Sequence, residues 1–349
     1  MTDSKKSNDQ GGPAQPLLSV KGLIKHFALQ KDFIGRSTGV VRAVDDIDFD
    51  VRKGETLGVV GESGCGKSTT ARLIMNLLDR NEGEIVFDGM SVGGNDLPLK
   101  SFRRQAQMVF QDSYASLNPR LTIEDSIAFS PQVHGVPKRE AIERARDLLV
   151  RVGLEPRRFA ERYPHELSGG QRQRINIARA LALQPRLIVL DEAVSALDKS
   201  VEAQVLNLLL DLKEEFELTY VFISHDLNVV RYVSDRVMVM YLGQVVEIGD
   251  CETMFKTPRH PYTKALLSSI PSLDPDNRTE EPPLTGDPPN PINPPSGCRF
   301  HTRCVHVQPV CKEIMPKLIE QPDGQSVACL MFEPKSAYQH KSILLEPVL

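Results

Sequence analysis

The sequence predicts an α/β fold with a mainly parallel β-sheet at its centre. Three short apolar runs have the length of buried strands, namely "TLGVV", "RLIVL" and "TYVFI". Segments with helical periodicity lie between them, and each run leads into glycine or polar residues. This alternation is typical of parallel sheets, whose binding sites lie at the carboxyl ends of the strands.

The elements before residue 160 follow from local patterns. In "IDFDV", Ile47, Phe49 and Val51 share one face of a half-buried strand, and "RKGE" forms the turn after it. "TTARLIMNLL" predicts a helix after a glycine-rich loop. A longer helix is predicted from "KREAIERARDLLVRVG", with apolar residues at helical spacing and a glycine at its end: Ile142, Ala145, Leu149, Val152 and Gly153.

The overall composition is that of a globular protein without a strong charge bias. The chain has 349 residues, enough for about two domains, with 40% hydrophobic and 25% charged residues and a net charge of −4. The small negative charge predicts no nucleic-acid partner. Residues 1–16 have no apolar core and predict a disordered tail, not a signal peptide. No apolar run reaches the roughly 18–20 residues of a membrane span, so the cytosol is the expected compartment.

A phosphate-binding loop is predicted at "GESGCGKST", which fits the pattern G-x-x-x-x-G-K-[ST] between a strand and a helix. Its glycines let backbone N–H groups surround phosphate oxygens, and the helix N-terminus adds positive potential. Lys67 supplies a charge to the β- and γ-phosphates, and the Ser68 hydroxyl can ligate Mg²⁺. Cys65 is interpreted as a small residue that the loop tolerates, not as a catalytic thiol. The predicted phosphate-binding residues are Gly61, Glu62, Ser63, Gly64, Cys65, Gly66, Lys67, Ser68 and Thr69.

Two acidic residues follow the apolar run "LIVL". Asp191 is placed to hold Mg²⁺ through water, and Glu192 is the candidate general base for an attacking water. The alternative is a charged strand end that faces solvent. Between this run and the phosphate loop, "LSGGQRQR" (Leu167 to Arg174) opens the helix "INIARALAL". It provides a second glycine-flanked helix N-terminus that could bind an anion.

These motifs resemble those of ABC-type ATPases, the family that LSGGQ distinguishes among P-loop NTPases. The resemblance covers about residues 17–255 and includes three further motifs in the same order. Gln111 in "VFQD" matches the Q-loop, "SALD" (Ser195 to Asp198) the D-loop, and His225 in "ISHD" the switch histidine. Phe27 matches the aromatic residue that stacks on adenine, and a place in the core is the alternative for it.

The resemblance implies an architecture and a mechanism. It places a P-loop NTPase domain at residues 17–257, with a RecA-like parallel sheet core, an antiparallel β subdomain and a helical signature subdomain at about 112–180. Two such domains would face head to tail, so that ATP on one phosphate loop is capped by the signature helix of the other. The implied roles are catalytic for Lys67, Gln111, Glu192 and His225, Mg²⁺-binding for Ser68, Gln111 and Asp191, and nucleotide-contacting for Ser168, Gly169, Gly170, Gln171 and Asp198.

The surroundings of the cassette indicate the class of ABC protein. No membrane-spanning segment is fused to the cassette, which excludes fused exporters. No coiled-coil insertion separates its two glycine motifs, which excludes DNA-repair ATPases. Only one cassette is present, which excludes the translation factors, whose chains have two. What remains is a separate ATPase that docks on membrane-spanning partners. These partners would contact the segment "DSYASLNPRLTIEDSI" after Gln111.

The C-terminal part of the chain narrows the resemblance to one group of ABC ATPases. Residues 258–297 combine the helix "HPYTKALLSSI" with a proline-rich linker, and residues 298–349 form a small Cys-rich module. They resemble the extension of ATPases from dipeptide, oligopeptide and nickel importers, and the cassette resembles the second ATPase of such pairs. The implied partners are a second ABC ATPase subunit, two permease subunits and an extracytoplasmic solute-binding protein, at the cytoplasmic face of the inner membrane. A homodimer, nickel or another solute, and a free-standing regulator with a metal-sensing tail stay open as alternatives.

Four cysteines lie in the C-terminal module: Cys298, Cys304, Cys311 and Cys329. No closely spaced pair typical of structural zinc sites is present, and disulfides are disfavoured in the cytosol. The resemblance implies a [4Fe–4S] cluster on these four, for which ligand spacing is permissive. His301 and His306 keep a mixed Cys/His zinc site open, and unligated thiols are a third possibility. A structural role is expected, with redox sensing as the alternative, and Cys251 is interpreted as a small buried residue.

Overall fold

The computed structural model describes Gly12 and residues 15–29, 39–270 and 289–339. Most of the predicted tail 1–16, the linker residues 271–288 and the last ten residues lie outside the described part. The described strands are β1 (Leu18–Ala28), β2 (Val40–Val51), β3 (Thr56–Val60), β4 (Glu82–Phe87), β5 (Met90–Ser91), β6 (Ala106–Val109), β7 (Leu187–Asp191), β8 (Thr219–Ile223), β9 (Arg236–Tyr241), β10 (Gln244–Asp250), β11 (Ile319–Glu320) and β12 (Ser326–Val327).

The described helices lie mainly between these strands. They are α1 (Lys67–Ile74), α2 (Leu99–Gln105), α3 (Ile123–Val133), α4 (Lys138–Arg151), α5 (Pro156–Phe159), α6 (Gly169–Leu181), α7 (Lys199–Phe216), α8 (Leu227–Val233), α9 (Cys251–Lys256), α10 (Pro261–Ser268) and α11 (Pro309–Glu313). The helix predicted from "KREAIERARDLLVRVG" is α4, and it is followed by Gly153 at a φ of 76°. A φ in this region suits glycine, which explains the stop.

The predicted parallel sheet is confirmed. Strands β9, β3, β8, β7 and β6 lie side by side in that order, and each neighbouring pair is parallel. The three apolar runs that predicted the core form β3, β7 and β8, and every residue of these strands is buried. Their carboxyl ends therefore meet at one edge of the sheet, where a site can be assembled.

A second, antiparallel sheet has the order β2–β1–β4–β5 in the described part of the chain. Ile47, Phe49 and Val51 are buried on one face of β2, as the alternation predicted. Helices α3, α4, α5 and α6 form a separate layer within the segment that the resemblance assigned to the signature subdomain. The described residues thus form a parallel core, an antiparallel sheet and a helical layer.

The C-terminal segment, which comprises the described residues 258–270 and 289–339, packs against this cassette. Strand β12 pairs with β10 at Val327↔Glu247, which extends the main sheet. The buried Phe300 ring lies 5.3 Å from the ring centre of Tyr241 and 5.4 Å from that of Tyr262. Aromatic contacts of this kind contribute beyond the buried area alone. Among the described residues, no helix combines the length and the apolar character of a membrane span.

Candidate functional site

The predicted phosphate loop connects β3 to α1, and its backbone requires glycine. Gly66 has a φ of 109°, and a Cβ there would overlap the carbonyl oxygen of Ala43. A Cβ at Gly61 would overlap the carbonyl oxygen of Met240 and lie 2.7 Å from the Cys65 sulfur. The loop therefore packs closely against β2 and β9. Lys67 begins α1, so the loop and the helix N-terminus form one anion-binding surface.

Lys67 and Cys65 occupy different positions in this loop. The buried Lys67 ammonium lies across the loop and donates to the carbonyl oxygens of Gly61 at 2.7 Å and Glu62 at 3.0 Å. Cys65 is buried, and burial raises the pKa of its thiol. A neutral buried thiol packs as a small apolar group, in agreement with its interpretation from the sequence.

Ser68 and Asp191 form the predicted Mg²⁺ position. The Ser68 hydroxyl donates to Asp191 Oδ1 at 2.8 Å. Burial raises the pKa of Asp191, the hydrogen bond from Ser68 opposes this, and the neighbouring Glu192 charge adds to the increase. A partly buried hydroxyl–carboxylate pair next to a phosphate loop supplies the oxygen ligands that Mg²⁺ prefers, so these residues fit the ion.

Glu192, which follows β7, lies next to residues that follow the two neighbouring strands. Its side chain accepts a hydrogen bond from Gln111 Nε2 at 2.8 Å, and its other oxygen lies 3.6 Å from His225 Nδ1. Glu192 has a φ of 48°, while its backbone N–H donates to the Ile223 carbonyl oxygen. Backbone strain of this kind at a reactive residue is common in functional sites. Gln111, Glu192 and His225 follow β6, β7 and β8, which explains why residues so far apart in sequence come together.

The signature residues are ordered mainly by their own helix. Ser168 is the N-cap of α6: its hydroxyl accepts from the Gln171 N–H, and its own N–H donates to Gln171 Oε1 at 3.0 Å. A Cβ at Gly170 would overlap the side chain of Val201, so Gly170 lets α6 approach α7 closely. Asp198 is the N-cap residue of α7, and Gly169 is the first residue of α6. In contrast to Gln111, Glu192 and His225, these residues hydrogen-bond within their own segment.

Phe27 lies on β1 and is 38% exposed, which argues against the alternative of a core residue. Lys25 Nζ lies 5.1 Å from the centre of its ring. An exposed aromatic face is available for stacking. Cys251, by contrast, is buried, as expected.

Three residues of the C-terminal segment contact the cassette near the phosphate loop, and the sequence did not point to them. Arg303 forms two hydrogen bonds with the Glu62 carboxylate, at 2.8 and 3.1 Å. Tyr262 accepts a hydrogen bond from the Glu62 backbone N–H at 2.9 Å, and Arg299 pairs with Asp45. The sequence placed Tyr262 only within the predicted helix "HPYTKALLSSI". Nothing in the spacing of the two arginines indicates their partners, which lie more than 240 residues away.

The stretch "HPY" has a local structural explanation. His260 is the N-cap of α10, and its Nδ1 accepts from the Tyr262 N–H at 3.0 Å. Burial lowers the pKa of His260 to about 3, so the ring is neutral and can accept this bond. Pro261 is the first residue of α10, a position that suits proline. This geometry points the Tyr262 hydroxyl at the phosphate loop.

The four C-terminal cysteines line one cavity of about 20 Å³, together with His301 and His306. Backbone N–H groups near the sulfurs of Cys298, Cys304 and Cys329 lower the pKa of these thiols, against the effect of burial. Burial raises the pKa of Cys298 to about 11 and that of Cys329 to about 12. In the described part of the chain, no three His, Cys, Asp or Glu side chains are arranged to hold a metal ion, and no cysteine there forms a disulfide.

Comparison with known families gives two matches. The profile of the ABC transporter family matches residues 44–195. The profile described as the oligopeptide/dipeptide transporter C-terminal region matches residues 246–311. Together they span the phosphate loop, the signature motif, the "HPY" helix and three of the four C-terminal cysteines.

Similar proteins match this chain over nearly their whole length. A probable peptide ABC transporter ATP-binding protein, y4tS of Sinorhizobium fredii, is 50% identical over 323 residues, which are 92% of this chain and 91% of the relative. The oligopeptide transport ATP-binding protein AppF of Bacillus subtilis is 49% identical, over 91% of this chain and 98% of its own.

Solved structures agree with the fold. The cassette MJ0796, a bacterial ABC transporter cassette solved as a dimer, is 30% identical with a TM-score of 0.58, and the match covers 67% of this chain and 98% of MJ0796. The cbiO1 protein of Clostridium perfringens is 26% identical with a TM-score of 0.59, over 69% of this chain and 91% of that protein. The α/β core with its phosphate loop is therefore the ATP-hydrolysing cassette of an ABC protein, and the chain belongs to the family of peptide ABC transporter ATP-binding proteins.

Proposed function

We propose that this chain hydrolyses ATP to drive the import of di- or oligopeptides by an ABC transporter. The observation that carries the proposal is the combination, in one chain, of an assembled ATPase site with the C-terminal region typical of oligopeptide and dipeptide transporters. The names of similar relatives, among them an oligopeptide transport ATP-binding protein, support the same solute class.

The site residues divide the chemistry among them. Lys67 and the N–H groups of the phosphate loop bind the β- and γ-phosphates, and Ser68, Asp191 and Gln111 are the residues that would hold Mg²⁺. A bound Mg²⁺ neutralises phosphate charge. Glu192 orients and deprotonates the attacking water, and His225, 3.6 Å from it, is placed to contact the γ-phosphate.

A second subunit completes the site in this proposal. Ser168, Gly169, Gly170 and Gln171 cap the nucleotide bound to the facing subunit, and Asp198 lies at the same interface. The dimeric structure of MJ0796 supports such an arrangement of cassettes. We propose a different ABC ATPase as the partner, and mass measurement of the purified complex separates a heterodimer from a homodimer.

A groove on the surface supports docking on membrane subunits. It has a volume of about 440 Å³ and lies between the sheet core and the helical layer, with Ser116, Asn118 and Leu121 from the segment after Gln111 on its wall. Phe129 on α3 also lines it and is 58% exposed. An exposed aromatic side chain at a groove suits a helix of a partner. The chain would then lie on the cytoplasmic face of the inner membrane, next to two permeases fed by a solute-binding protein.

The test is co-purification and uptake. With the permeases and binding protein co-expressed, the wild type is expected to purify with two membrane subunits and to support peptide uptake. Phe129→Glu is expected to weaken the complex at least tenfold, because it places a charge at the core of the contact. Val150→Glu is the matched control, since Val150 is 62% exposed on α4 and does not line the groove.

The same experiment distinguishes the alternatives. Uptake of a nickel chelate instead of peptides would keep the ATPase role and change the solute. A chain that purifies without membrane subunits while hydrolysing ATP would favour the regulator.

We further propose that Cys298, Cys304, Cys311 and Cys329 hold a [4Fe–4S] cluster with a structural role. Their position around one cavity, and the backbone N–H groups near three of the sulfurs, support this assignment. Hydrogen bonds to sulfur are a common feature of such sites. Zinc is a weaker fit, because structural zinc sites use closely spaced cysteine pairs and these four cysteines contain none.

Iron analysis tests the cluster. Anaerobically purified wild type is expected to be coloured and to contain about four iron atoms per chain. Cys298→Ser is expected to lose most of the iron and the visible absorbance, whereas Cys251→Ser, a buried cysteine outside the cavity, keeps both. A colourless wild type with one zinc per chain would contradict the assignment.

A further inference from the structure

The phosphate loop carries an acidic side chain where a negative charge is unfavourable. Glu62 directly follows Gly61, the first residue of the loop, and its side chain is 22% exposed. ATP brings three to four negative charges to this loop. An unpaired carboxylate within the loop would repel the phosphate charges. Solvent and salt would screen this repulsion only partly, because the position is half-buried.

Arg303 compensates this charge. Its Nη1 donates to Glu62 Oε2 at 2.8 Å and its Nη2 to Glu62 Oε1 at 3.1 Å, which is the two-pronged geometry of a strong arginine–carboxylate pair. The Arg303 side chain is only 5% exposed, so the pair is largely shielded from water. Arg303 lies in the loop between Cys298 and Cys304, and the pair therefore ties the cysteine-containing segment to the phosphate loop.

The backbone of Glu62 is also held. Its N–H donates to the hydroxyl of the fully buried Tyr262, and its carbonyl oxygen accepts from Lys67 at 3.0 Å. Arg303 and Tyr262, both C-terminal to the cassette, thus fix the side chain and the N–H of the same residue. Phe300, three residues before Arg303, packs against the Tyr262 ring and joins the two contacts into one unit.

We propose that Arg303 is a positioning residue for ATP binding, which neutralises Glu62 and, together with Tyr262, holds the first turn of the phosphate loop in its binding conformation. The C-terminal segment then sets the affinity of the cassette for ATP. By linkage, bound ATP in turn stabilises that segment. The proposal requires only that the loop binds ATP, and it is independent of the transported solute.

The test is the affinity of the full-length chain for mant-ATP with Mg²⁺, measured by fluorescence titration in a Glu192→Gln background that prevents turnover. Arg303→Met is expected to raise the Kd about tenfold, because it leaves the Glu62 carboxylate uncompensated. Adding Glu62→Gln to Arg303→Met is expected to bring the Kd back to within about threefold of the parent, because the repulsive charge is then gone. Arg231→Met is the matched control: Arg231 forms a two-pronged pair with Glu252, at 2.9 Å for both bonds, away from the phosphate loop.

Recovery of the Kd by Glu62→Gln distinguishes a positioning role of Arg303 from a general loss of structure in Arg303→Met. A Kd for Arg303→Met within twofold of the parent, or no improvement from Glu62→Gln, would overturn the proposal. Should Arg303→Met fail to fold, Arg303→Lys takes its place, since lysine retains the charge but not the two-pronged bond, and an intermediate Kd is expected. Amide hydrogen exchange gives the reciprocal readout. Mg-ATP is expected to slow exchange of residues 298–311 in the parent but not in Arg303→Met, and equal protection in both would also count against the link.

Discussion

Replacing Glu192 by glutamine is expected to lower steady-state ATP hydrolysis at least 100-fold, the range for loss of a general base. The substitution preserves the shape of the side chain and its contact with Gln111, which lies 2.8 Å away. In the proposed mechanism, it removes the charge that orients and deprotonates water. With hydrolysis blocked and binding intact, the ATP-bound closed dimer is expected to accumulate, and size-exclusion chromatography with the partner ATPase and Mg-ATP detects it.

The structure offers a matched control for this change. Glu217 also has a left-handed backbone, with a φ of 51°, but it is exposed at the end of α7. Glu217→Gln is therefore expected to leave the hydrolysis rate unchanged within about twofold, as usual for surface substitutions. Normal turnover by Glu192→Gln would show that another group activates the water.

Replacing Gly66 by alanine is expected to abolish nucleotide binding and to destabilise the fold. The φ of 109° is strained for any residue with a Cβ, at a cost of about 1–3 kcal/mol. The added methyl group also overlaps the Ala43 carbonyl oxygen, and relief of such overlap adds about 1–3 kcal/mol or displaces the loop. Either outcome misdirects the N–H groups that surround the phosphates. Titration with mant-ATP and thermal unfolding measure the two effects.

Gly54→Ala is the control that separates the cost of a positive φ from the steric overlap of the added Cβ. Gly54 has a comparable positive φ, of 74°, but no atom lies within 4 Å of its Cβ position. Its replacement is expected to cost only about 1–2 kcal/mol of stability and to leave nucleotide binding intact. Equal loss of binding in both variants would mean that overlap at Gly66 is not the cause.

The core of the fold and most of the ATPase site could be predicted because their signals are local. The glycine loop, its lysine and the acidic strand end lie in short stretches, where each residue type follows from the chemistry of phosphate binding. The proximity of Glu192 and His225 was also predictable in outline, since each follows a predicted parallel strand, whereas the strand before Gln111 was not predicted. The hydrogen bond between Gln111 and Glu192 and the 3.6 Å distance from Glu192 to His225 required the register of β6, β7 and β8.

Other features have no local signal. Strand β12 has only two residues, too few for any periodicity, yet it extends the main sheet. The sequence around Phe27 is compatible with a core position and with an exposed one. Only the assembled sheet decides that the residue is 38% exposed. The proline-rich linker gave no indication that the segment after it returns to the cassette.

The sequence by itself determined the parallel α/β core, the phosphate loop, the acidic end of β7 and the cysteine set, because hydrophobic periodicity and motif chemistry act over a few residues. Only the tertiary structure decided that the cysteine-containing segment lies against the phosphate loop, with Arg303 on Glu62. That contact joins residues 241 positions apart. It depends on the packing of Phe300 against Tyr241 and Tyr262, a long-range contact that no short stretch of sequence encodes.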